Sequence, residues 1–138
     1  MKKSLILCSF ILTTMWIQAQ GKWQIILNKK PLLTTSEIND SLNTRIVKSS
    51  VWKSNGYLEV NYTEATPGNW IKSLHFIDEN NNELIKRENT SHTKIKIATL
   101  RKLFSGKKSL RIYMSIDPPN PMMMAPSKMI TLCILKLP

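Results

Sequence analysis

Ser109-Leu110-Arg111-Ile112-Tyr113-Met114-Ser115-Ile116 alternates without a break: every second residue is apolar, and the residues between are polar or amphipathic. A strand with one buried face and one outward face has this period of two, whereas a helix would return its apolar residues every three or four positions. The same rhythm sets Leu58, Val60 and Tyr62 against Glu59, Asn61 and Thr63. These two segments are the firmest strands of an all-β reading.

Working outward, the run Asp78-Glu79-Asn80-Asn81-Asn82-Glu83 is rich in side chains that bond their own backbone and tolerate left-handed conformations. It predicts a hairpin with arms at Leu74 to Ile77 and Leu84 to Arg87. Further strands are expected at Trp23 to Leu27, Arg45 to Trp52, Lys94 to Ile97 and Met129 to Leu137. Leu100, Leu103 and Phe104 instead follow helical spacing, with Thr99 placed to cap the start and Gly106 to end the turn, so a short helical crossover is predicted there. About seven or eight short strands with one helical crossover and no long helix predict an antiparallel β-sandwich, immunoglobulin-like or fibronectin-like. The Cys, Trp, Cys spacing of true immunoglobulin domains is missing, and the fold alone assigns no function.

The chain starts with Lys2 and Lys3 and runs into an apolar stretch from Leu5 to Ile17. That is shorter than the roughly 20 apolar residues needed to cross a bilayer core. With Ala19 as the small residue before the cut, residues 1–19 read as a cleaved secretory signal of bacterial type, which predicts a secreted or periplasmic protein. Cys8 lies inside the apolar stretch, which argues against lipidation. Residues 20–138 have the size at which one hydrophobic core forms, so a single domain is expected. Cys133 is then the one cysteine left; it leaves no partner for an intramolecular disulfide, and its neighbours Leu132 and Ile134 make it a core residue.

Antiparallel order alternates the connections between two ends of such a fold. The segments Thr63 to Asn69, Glu88 to Thr93 and Asp117 to Lys128 should share one end, and the Asn-rich hairpin and the crossover the other. The first end gathers Trp70, His92 and Met122, Met123 and Met124, with Pro118, Pro119, Pro121 and Pro126 stiffening the methionine loop. Three consecutive methionines cannot all face one core. They either fill gaps where the last strand joins its sheet or present an adaptable apolar surface to a protein partner. A third reading is a periplasmic copper site, because thioether and imidazole ligands suit Cu(I). The residues after Cys133, Ile134, Leu135, Lys136, Leu137 and Pro138, speak against the blue-copper pattern, which needs a His and a Met shortly after the ligand Cys. No other cofactor is implied.

The charge of the whole sequence is +11, and removing Lys2 and Lys3 leaves +9. From His92 to Ile116 there is no acidic residue, while Lys94, Lys96, Arg101, Lys102, Lys107, Lys108 and Arg111 all fall there. Arg101, Lys102, Lys107 and Lys108 surround the crossover and are candidates for contact with an anionic polymer of the cell envelope, such as acidic polysaccharide. The competing explanation is ordinary: lysines guard sheet edges and keep a protein soluble. No basic motif interleaved with aromatics supports specific nucleic-acid binding.

Local signatures of catalysis are missing: there is no G-x-S-x-G elbow, H-E-x-x-H, C-x-x-C or glycine-rich phosphate loop. His75 sits in an apolar run and His92 in a polar loop, neither with a carboxylate beside it in sequence, although residues far apart can still meet in space. The sequence therefore predicts an exported, non-catalytic binding or structural module working through the loops at one end, with the basic envelope module and the copper protein as alternatives.

Overall fold

The computed structural model describes residues 21–65 and 68–138; the predicted leader, residues 1–19, lies outside them. Among the described residues nine strands and two short helices follow one another: β1 (Lys22–Leu27), β2 (Lys30–Thr35), β3 (Thr44–Ile46), α1 (Ser49–Trp52), β4 (Tyr57–Thr63), β5 (Ile71–Ile77), β6 (Glu83–Arg87), β7 (His92–Lys96), α2 (Ile97–Leu103), β8 (Ser109–Asp117) and β9 (Lys128–Lys136). They form a four-stranded sheet in the order β2-β1-β4-β7 and a five-stranded sheet in the order β3-β9-β8-β5-β6. The strand read first from its alternation, β8, is the middle of the larger sheet, bonded to β5 on one side and β9 on the other.

Four features differ from the sequence reading. The strand β2 was not anticipated, because Lys30 and Pro31 open it and obscure its alternation; it is an edge strand, where a proline costs no ladder bond, and a bulge at Ile25/Ile26 fits it to β1. The expected strand from Arg45 to Trp52 is instead the short β3 followed by one helical turn, α1: β-branched and aromatic Val51 and Trp52 imitate a strand in sequence. The crossover helix starts at Ile97, two residues before Thr99, and its N-cap is Lys96 without a capping side chain. Finally, the larger sheet is mixed, since β3 lies parallel to β9 while every other pair is antiparallel.

Inward residues of both sheets form one buried cluster, with Trp23, Ile25, Leu58 and Val60 from the smaller sheet and Leu74, Phe76, Leu110, Ile112 and Met114 from the larger. Trp23 crosses the core: its indole Nε1–H donates to the carbonyl of Leu132 at 2.8 Å, and its ring stacks on Tyr62. The acceptor is free because β9 carries a bulge there, with Ile112 facing Cys133 and Tyr113 facing Thr131. The bulge also explains how adjacent Leu132 and Cys133 are both buried, which strict alternation forbids. Burial pushes the Cys133 thiol up to about 12, so it is held as a neutral thiol in the core.

The Asn-rich hairpin is organised by one carboxylate. Asp78 is fully buried; its Oδ1 accepts from the backbone N–H groups of Asn80 and Asn82, and its Oδ2 from the Asn82 amide and the Lys107 ammonium at 2.9 Å. Asn81 takes the left-handed conformation the turn demands. Glu79 accepts from the N–H groups of Lys108 and Ser109, so the hairpin is tied to the segment after α2.

Candidate functional site

Strand register sorts the connections between two ends. Asn61 faces His92, Ile71 faces Asp117, and Ile116 faces Lys128, so the segments after β4, β6 and β8 leave from one end together. The backbone bonds Thr90 N–H to Lys72 O and Tyr62 N–H to Ser91 O bridge the two sheets there. The β5–β6 hairpin and the α2 crossover lie at the opposite end, joined through Lys107 and Asp78.

At the first end Asn120 shapes the methionine loop. Its side-chain oxygen accepts the N–H of Met122 and its backbone carbonyl accepts the N–H of Met123, closing a turn that sends the side chains outward. Met122 is 86% exposed and Met124 100%, while Met123 is partly covered at 44%. At the same end, where β9 enters its sheet, an open cleft of about 450 Å3 is lined chiefly by Trp23, Ile38, Tyr62, Ile116, Met129 and Ile130, and none of Met122, Met123 and Met124 lines it. A second hollow of about 260 Å3 shares Tyr62, Ile116 and Lys128 and adds Trp70 and Glu64. Glu64 holds that rim: it pairs with Lys72 at 2.7 Å and accepts the N–H of Gly68. The hydrogen bond from Lys72 keeps the Glu64 carboxyl below its ordinary value, and burial pushes the Tyr62 phenol up.

Trp70 therefore lies near the apolar cleft, and it also shares a hollow with His92. None of Met122, Met123 and Met124 lines that His92 hollow, and His92 Nδ1 is engaged with Asn61 Oδ1 at 3.2 Å. Among the described residues no group of three His, Cys, Asp or Glu side chains could hold a metal ion.

The four basic candidates at the other end divide into two pairs. Arg101 donates twice from one nitrogen, to the carbonyls of Trp52 and Ser54 at 2.8 Å each, and so pins α1 to α2. Lys107 is committed to Asp78. Lys102 and Lys108 are exposed. Arg101, Lys107 and Lys108 border a cleft of about 490 Å3 with Trp52, Phe104 and the chain end at Pro138.

One constellation escaped the reading of the sequence. On the outward face of the larger sheet, His75 of β5 hydrogen-bonds Glu83 of β6 through Nδ1 and lies 2.8 Å from Ser115 Oγ of β8 through Nε2. The signal for its first half was present, since His75 and Glu83 flank the predicted hairpin. Its second half depends on the β5–β8 register across 40 residues, which no local pattern reveals.

Among the described residues no helix is long and apolar enough to cross a membrane. No protein-family model, no curated protein and no solved structure matches the chain.

Proposed function

We propose that this chain is an exported, non-catalytic binding module that holds an apolar segment of a protein partner at the loop end, on Met122, Met123 and Met124 and in the cleft at that end. The observation that carries the reading is the exposed methionine turn in the β8–β9 connection, at the same end of the molecule as that cleft. A cleft of this size accommodates a few apolar side chains, and unbranched thioether side chains adapt to the shape of what they meet. Export rests on the N-terminal sequence. The finer architectural reading is an immunoglobulin-like or fibronectin-like sandwich; in its support, β4 and β5, and again β7 and β8, lie in different sheets, as Greek-key connections require.

A second reading, association with anionic envelope polymer, is favoured by the basic cleft beside α2. It is weakened by the internal commitments of Arg101 and Lys107, which leave Lys102 and Lys108 as its free charges.

The two readings make opposite demands on salt. In a pull-down of envelope proteins by the mature domain, the proposed contact survives raised ionic strength, loses about tenfold in affinity on Met123→Ser, and is indifferent to Lys102→Ala with Lys108→Ala. Loss of binding with salt and with the two lysines, but not with Met123→Ser, would favour the polyanion reading instead.

A further inference from the structure

We infer that Ser115 is a base-activated nucleophile and serves as an acyl-acceptor site, taking its acyl group from an activated ester or thioester. A carboxylate can only accept, so Glu83 fixes the proton of the neutral imidazole on Nδ1 and leaves Nε2 as an acceptor for the Ser115 hydroxyl. Carboxylate to Nδ1 and hydroxyl to Nε2 is the polarity that makes a serine nucleophilic in acyl transfer. The three groups come from three adjacent strands, so sheet register holds them in place without any loop.

The step balances without any oxidant or metal. Ser115 Oγ attacks the acyl carbonyl carbon while its proton passes to His75 Nε2. The bond to the leaving oxygen or sulfur then breaks, and the imidazolium returns the proton to the departing alcohol or thiol. The products are acyl-Ser115 and the free alcohol or thiol.

The surroundings limit the outcome to a single acylation. Both edges of β8 are paired in the ladder, so the strand offers no row of free N–H groups to a developing oxyanion. Losing such donors costs on the order of 10²–10³-fold in rate, which confines the site to activated acyl donors and leaves the acyl-serine long-lived. Access is narrow: Ser115 is 8% exposed, and its cross-strand neighbours are buried Ser73 and largely exposed Met129, whose flexible side chain can yield to a small reagent.

The test is to treat the mature protein with 4-nitrophenyl acetate and to map acetylated serines by mass spectrometry over time. Ser115 is expected to be acetylated at least tenfold faster than any other serine, with one equivalent of nitrophenolate released and little turnover. His75→Ala should slow this on the order of 10²-fold, and added imidazole should restore part of the rate, which a purely structural role for His75 would not allow. Glu83→Gln, whose amide oxygen can still accept from the ring, should keep more of the rate than Glu83→Ala. If the histidine variant fails to fold, the wild-type map alone decides. Ser115 left unmodified, or acetylated no faster than other serines, or acetylated at a rate indifferent to His75, would overturn the inference.

Discussion

A few side chains at each end of the molecule carry obligations that their neighbours in sequence do not reveal. Asp78 is the clearest. Burial alone would raise its pKa, but the Lys107 ammonium, the N–H and amide of Asn82 and the N–H of Asn80 outweigh burial and hold the carboxyl well below its ordinary value of 3.8. The unfolded chain therefore takes up this proton first as pH falls. The stability contributed by Asp78 is complete at neutral pH, declines once pH drops towards the ordinary carboxylate value, and is lost as pH passes the folded value. Thermal melts taken from about pH 7 down to about pH 2 should fall in that acidic window, and Asp78→Asn should melt lower at neutral pH with a flatter acid limb. Melts of the variant that match wild type at neutral pH would remove Asp78 from its place at the centre of the hairpin. The aspartate and the asparagines announced a turn in the sequence; the lysine that completes it, 29 residues further on, did not.

Among the elements, alternation was legible wherever one face of a strand is buried and the other wet, as in β4 and β8. It failed where other constraints intervene. Pro31 masks β2, apolar Val51 and Trp52 disguise the single turn of α1, and the bulge in β9 puts two neighbouring residues into the core together. The crossover was legible through Leu100, Leu103 and Phe104, but Thr99 lies inside α2 and does not cap it. Gly106 does fill the role given to it: it has φ of +76° after the helix, a conformation that L side chains adopt at a cost. Space for a Cβ is open there, so Gly106→Ala isolates backbone strain from any clash. The substitution should destabilise by about 1 kcal/mol, read from denaturant unfolding with unchanged slope. An unaffected or more stable variant would mean that the turn relaxes freely.

For the molecule as a whole, charge was the plainest feature of the sequence and the least direct guide to a site. The basic run after His92 is real, yet Arg101 braces two helices, Lys107 neutralises a buried aspartate and Lys94 pairs with Glu59 across the sheet. The methionine loop was legible as a candidate surface because prolines and three consecutive methionines cannot join a ladder or a core together. The cleft at the same end was not, since it is assembled from β1, β4, β8, β9 and the segment after β2. Methionines also supply the reporters for a direct test, with Met122, Met123, Met124 and Met129 at the loop end and buried Met114 as an internal reference. The measurement is a methyl spectrum of the mature domain carrying 13C-methyl methionine, recorded with an envelope protein fraction in high salt and separately with heparin. The proposed function predicts shifted or broadened signals from the loop-end methionines with the protein fraction, an unchanged Met114, and no response to heparin. Loop-end signals that stay fixed with the protein fraction would contradict it.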